Sequence, residues 1–249
     1  MTSLDDPAAY SSLVAPVIDR TAISVHNAVV KEQMTALRGE NRFHPAALAL
    51  FAGMLCAGPI TKAEYSELMR YQHFGSSDEF LAGLADRGAI TIAADGSFAA
   101  TAEAIGVAKG VANLQAATVT KLFSPLAPSL PELRSLITRC RVAAMDDPIS
   151  VLSRLSGRAW LPESASDAAL IWDSSVVLRM HRSDAHAKAW AEAGWTASEM
   201  RTLEAGPQRV AIEARTNELA AAPWAPLSGH ERLTLLAGLG ALPGTGSPI

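Results

Sequence analysis

Thr61-Lys62-Ala63-Glu64, Gly75-Ser76-Ser77-Asp78 and Ala89-Ile90-Thr91-Ile92-Ala93-Ala94-Asp95-Gly96-Ser97-Phe98-Ala99-Ala100 are the landmarks of the stretch from His44 to Thr101. A Pro-started apolar segment, Pro45 to Cys56, precedes them and predicts a first helix. Thr61 with Glu64 three residues on is a capping box and opens a second helix. The Gly-Ser-Ser break precedes a third, from Asp78 to Arg87. Two short β-prone runs then flank the turn Ala93 to Gly96, which predicts a strand, a turn and a strand.

Three helices followed by a hairpin is the element order of a winged helix, with residues 89–100 as the wing. In such a unit the third helix carries Arg, Lys, Asn or Gln to base edges, and cations hold phosphates. Here the third helix carries Asp78, Glu79 and Asp86 against Arg87 alone. Across residues 44–101 the cations are Lys62, Arg70 and Arg87, and the anions are Glu64, Glu67, Asp78, Glu79, Asp86 and Asp95, a local charge of −3. Carboxylates facing phosphates repel where contacts should attract. The pattern therefore predicts the fold while arguing against its usual work. Ser76, Ser77 and Arg87 are the residues left for a DNA backbone if that work persists.

The chain has 249 residues, 49% of them hydrophobic and 18% charged, enough apolar material for one large core or two smaller ones. Its net charge of −4 disfavours a phosphate-dominated partner. The N-terminal residues lack a basic region followed by an apolar run, and no stretch of about 18 apolar residues occurs, so neither a signal peptide nor a membrane span is expected. Cys56 and Cys140 have no metal-ligand or redox spacing, and a cytoplasmic location is expected.

Outside this stretch the periodicity stays helical. Residues 8–37 form an amphipathic helix through Val14, Ile18, Ala22, Val25 and Val29, with Pro16 tolerable in a first turn. Ala102 to Phe123 is so apolar that it must be buried on several sides or against a partner subunit, which makes a homodimer the expected assembly. The Pro-rich run Ser124 to Pro131 is the best boundary. It divides the chain into 1–123, an N-terminal helix with the winged-helix-like domain, and 124–249, an all-helical domain. Helices are expected over 132–145, from Asp147-Pro148 onward, over 168–193 with Gly194 as its stop, after the Thr196–Glu199 capping box, over 210–222, and over 229–239.

Met180-His181-Arg182-Ser183-Asp184-Ala185-His186 is the densest set of chemically able side chains. On the long helix, Leu170, Ile171, Val177, Leu178, Ala185 and Ala189 define an apolar arc with His181 near its middle and Asp184 at its edge, an i, i+3 neighbour. His186 lies about 140° round from His181, so the two imidazoles do not chelate one metal from that helix. Two readings of His181 stand open. In one it is a core histidine hydrogen-bonded to Asp184 or a backbone carbonyl. In the other His181 and Asp184 form the catalytic or polar centre of an internal pocket, the carboxylate fixing the tautomer of an imidazole that acts as base or ligand. His26, Arg182, His186 and Trp172 are the accompanying ligand-binding candidates, since the tryptophans all fall in the second half and can wall a cavity.

The second half resembles a family of actinobacterial proteins described as winged-helix or MarR-like. Two stretches carry the likeness: His181-Arg182-Ser183-Asp184-Ala185-His186 with Ala193-Gly194, and Ile212-Glu213-Ala214-Arg215-Thr216-Asn217-Glu218-Leu219 running on to Ala222-Pro223-Trp224-Ala225-Pro226-Leu227. The resemblance implies that His181, Arg182, Asp184 and His186 share a site. In the family a winged helix lies between the two stretches, whereas here only residues 194–209 separate them.

The leading expectation is thus a mainly helical protein whose winged helix is a scaffold, binding, or binding and transforming, a small apolar or aromatic molecule. A ligand-responsive transcription regulator is the second reading. A metal- or haem-binding protein using His181 or His186 with His26 is the third, although the sequence itself specifies no metal or cofactor.

Overall fold

The computed structural model describes residues 4–28, 54, 56–70 and 77–243, without the side chains of residues 24, 26–28 and 77. The chain is mainly helical with one two-stranded antiparallel sheet. In chain order the elements are α1 (Pro7–Ala28), α2 (Lys62–Leu68), α3 (Ser77–Asp86), β1 (Ile90–Ile92), β2 (Phe98–Ala100), α4 (Ala102–Phe123), α5 (Leu130–Asp146), α6 (Leu152–Gly157), α7 (Asp167–Glu192), α8 (Ala197–Thr202), α9 (Pro207–Leu219) and α10 (Gly229–Ala241). Short 3-10 turns occupy Ser124–Ser129 and Ala222–Trp224. No helix among the described residues is long and apolar enough to cross a membrane.

Local chemistry accounts for the element starts. Thr61, Thr196 and Ser228 each form the capping box that their sequences announce. The hairpin pairs Ile90 with Ala100 and Ile92 with Phe98, and Gly96 takes the positive φ of +80° that its turn requires. Phe98 also bridges to Ile60, so the residues just before α2 fasten onto the hairpin. Most of the expected helix over 45–56 and the end of the expected helix over 8–37 lie outside the described residues, as do Ser76 and the side chain of Ser77.

Two expectations need correction. Pro16 is not in a first turn: α1 starts at Pro7, which places Pro16 in mid-helix, without an N–H for the carbonyl of Ser12. Asp147-Pro148 does not start a helix either. Asp147 is the extended C-cap of α5 (ψ 132°), as a residue before proline favours, and α6 starts only at Leu152.

The apolar side chains gather into two main cores. The larger joins Tyr10, Val14, Ile18 and Val25 of α1 to Val119 and Phe123 of α4, to α5, to the first half of α7 and to Leu235 and Leu239 of α10. The smaller joins Ile60, Tyr65, Leu68, Leu81, Leu84 and Phe98 to Ala104 and Val107 of α4 and to Leu152 and Leu155 of α6. α4 therefore lends one end to each core, which explains its near-continuous apolar run without recourse to a partner chain. The cores part the chain differently from a cut at residue 124: α1 belongs with the C-terminal helices, and α6 packs into the core of the hairpin unit. At the centre lies α7, packed on α1, α4, α5, α6 and α9.

Candidate functional site

Three ionisable side chains of α7 point toward the α5–α6 connection. At 100° per residue, Asp173, His181 and Asp184 fall within about 80° of one another. All three are buried, with relative exposures of 7%, 1% and 4%. Each needs a partner once withdrawn from water, and each has a different one.

His181 pairs with Asp147, which the sequence reading missed. Its Nε2 lies 3.1 Å from Asp147 Oδ2. A carboxylate offers only acceptors, so Nε2 carries the proton and donates it. Asp147 is itself held in place, because its Oδ1 accepts the backbone N–H of Ile149 at 3.1 Å. Burial holds the His181 pKa below its ordinary value, and the hydrogen bond and charge of Asp147 oppose that fall. The ring is then neutral at neutral pH, with Nδ1 as a lone-pair acceptor. Nδ1 has no hydrogen-bond partner among the described residues.

Asp184 is not the partner of His181, although it sits one turn along the same helix. Its Oδ2 accepts the backbone N–H groups of Val151, Leu152 and Ser153 at 3.0, 2.9 and 3.3 Å, and its Oδ1 lies 3.3 Å from the Arg70 guanidinium. It thus caps the start of α6, which lacks a capping side chain of its own, and ties α6 and α7 to the end of α2. Burial raises its pKa, opposed by the three backbone N–H groups and by Arg70. With Oδ2 on three backbone N–H groups and Oδ1 at Arg70, Asp184 clamps α6 to α7.

Asp173 faces Arg141 of α5, whose guanidinium lies 3.4 Å away and also donates to the Gly157 carbonyl. Burial pushes the Asp173 carboxyl up to about 6 against the pull of Arg141.

A cavity of about 300 Å³ opens between α1, α7 and the 220–224 turn. Its apolar wall is Ala15, Pro16, Ile18, Leu178, Ala220 and Trp224, and its polar wall is Ser11, Asp19, Arg179, His181 and Arg182. Arg179 and Asp19 form an exposed ion pair at 2.6 Å. Arg182 donates to Asn217 at 2.8 Å and to Glu213 at 3.1 Å. His186, 3.6 Å from Glu213, belongs to this α7–α9 cluster, and burial lowers its pKa.

The expected site residues therefore separate. His181 and Arg182 meet at the cavity, His186 lies behind Arg182, and Asp184 serves α6. Trp172 is not in the cavity wall: it is a core residue whose indole N–H donates to the Ala22 carbonyl at 3.0 Å, tying α7 to α1. Trp224 takes the place expected of it. His26 lies in α1 with its side chain outside the described residues. Arg87 is exposed just beyond α3, beside the exposed Asp78, Glu79 and Asp86. Among the described residues no group of three or more His, Cys, Asp or Glu side chains could hold a metal ion.

His181 belongs to the cavity wall, and a neutral imidazole backed by the Asp147 carboxylate has the chemistry to accept a hydrogen bond or a proton. Comparison of the chain with protein-family models, with curated proteins and with solved structures finds no match to any of them.

Proposed function

We propose that this protein binds a small, largely apolar molecule in the cavity between α1 and α7, with His181 as its polar contact. The observation that carries the reading is the state of His181. It is an almost wholly buried imidazole with one nitrogen anchored by Asp147 and the other without a hydrogen-bond partner among the described residues, in the wall of a mostly apolar cavity. The volume equals about ten waters, which suits a compact ligand of about ten non-hydrogen atoms.

Residues 60–101 serve this reading as a winged-helix, MarR-like scaffold that no longer reads DNA. In support, the face of α3 carries exposed carboxylates, and one of the few nearby cations, Lys62, is 3.0 Å from Asp78. The regulator reading has no comparable support, and a low-salt mobility-shift assay is expected to give no complex.

The test is a fragment screen by NMR followed by calorimetry. Hits are expected to perturb Ile18, Leu178 and Trp224, and His181→Ala should weaken them by about tenfold or more. Hits that map elsewhere, or that ignore the substitution, would overturn the proposal.

A further inference from the structure

We infer that Asp147 sets the hydrogen-bond polarity of the cavity. It fixes His181 as an acceptor, so the cavity takes molecules that present an O–H or N–H donor to Nδ1 and rejects the same molecules with that group methylated. This rests on the cavity being a binding site, and deepens that reading by naming the ligand class.

Asp147 precedes Pro148 and caps α5, so its backbone is confined to an extended conformation. Its Oδ1 is occupied by the Ile149 N–H, which leaves Oδ2 to face His181 Nε2. With no donor on Asp147, the proton must sit on Nε2 and the lone pair on Nδ1. A ligand ether or carbonyl oxygen brought to Nδ1 meets lone pair with lone pair. A hydroxyl or N–H makes a bond. Asp147 touches no ligand itself and is a positioning residue.

The same geometry supplies a switch. In Asp147→Asn the side-chain oxygen remains the acceptor for Ile149 N–H, which turns the amide NH₂ toward His181 Nε2. Nε2 must then accept, and the proton moves to Nδ1. The cavity wall changes from acceptor to donor at nearly constant shape.

The experiment uses the full chain and two matched probe pairs: 2-naphthol with 2-methoxynaphthalene, and indole with 1-methylindole. In the wild type the imidazole ¹⁵N shifts of His181 should show Nε2 protonated and Nδ1 bare. The donor member of each pair should bind about ten- to a hundredfold tighter than its methylated mate. In Asp147→Asn, checked for an unchanged fold by circular dichroism, the ¹⁵N pattern should invert and 2-methoxynaphthalene should bind at least as well as 2-naphthol. Equal binding within both pairs by wild type, or a proton found on Nδ1, overturns this inference and leaves the cavity reading standing. Failure of all four probes to reach the cavity at millimolar concentration overturns both.

Discussion

His181 Nε2 lies 3.1 Å from the Oδ2 of Asp147, 34 residues upstream, while Asp184, three residues further along the same helix, turns its carboxylate to the first backbone N–H groups of α6. Two acidic groups that look interchangeable from the sequence thus have separate duties. One sets the state of an imidazole at a cavity; the other holds the short helix between them in place.

Asp184→Ala should be among the most destabilising single changes in the chain. It strips three N–H groups of their acceptor and leaves the Arg70 guanidinium, whose side chain is only 9% exposed, facing Ser183 and Glu67 without its buried partner. A loss of about 3–5 kcal/mol is expected, with Asp184→Asn losing less because one acceptor survives. Urea unfolding midpoints at constant slope measure it. A cost under about 1 kcal/mol for the alanine variant would contradict the clamp.

The two buried tryptophans of the larger core should respond differently to the same replacement. Trp172 donates to the Ala22 carbonyl, whereas the Nε1 of Trp224 has no partner among the described residues. Trp172→Phe should therefore cost about 1 kcal/mol more than Trp224→Phe, because only the first loses a hydrogen bond. Thermal unfolding of the two variants side by side decides it. Ligand binding should reverse the order, since only Trp224 lines the cavity.

Asp173 predicts a pH dependence whose sign is fixed by its raised pKa. The folded state holds the proton up to about 6, while the unfolded chain releases it near the ordinary value of 3.8. The contribution is complete below 3.8 and is lost as pH rises through about 6. Relative to Asp173→Asn, wild-type stability should fall by on the order of 3 kcal/mol between pH 4 and pH 7. His181 acts in the opposite sense. Its pKa is lowered, so its contribution is present above the ordinary 6.5 and is lost on acidification. Paired denaturation curves across this range separate the two, and a flat difference for Asp173→Asn would refute the assignment.

Two glycines of α10 should part company when replaced by alanine. A Cβ on Gly238 would collide with a Leu133 methyl, whereas one on Gly240 meets nothing within 4 Å. Gly238→Ala should cost about 1–3 kcal/mol through overpacking between α5 and α10. Gly240→Ala should be neutral or stabilising by up to about 1 kcal/mol, as helix propensity favours alanine. Melting temperatures test the pair, and equal shifts would argue against close α5–α10 contact at Gly238.

Much of the helical layout was legible because its signals are local. Thr61 with Glu64, Thr196 with Glu199, and the apolar spacing of Val14, Ile18, Ala22 and Val25 each act within a few residues, and so does the turn at Gly96. The apolar arc of α7 also marked His181 as buried before any fold was known. Pro16 was misplaced because helix starts blur by several residues, and Asp147-Pro148 because a cap after one helix and a cap before the next share residue types.

What the sequence determined by itself, then, was where most of the described helices and the hairpin form and which face of α7 is buried, since short-range backbone chemistry and periodicity settle both. Tertiary structure alone decided the partners. Whether His181 meets Asp184 or Asp147 depends on how α5 and α6 fold back across α7, and a carboxylate one turn away is of no use to an imidazole if three backbone N–H groups claim it first. Desolvation forces every buried polar group to find a partner, but only the packing of distant segments says which.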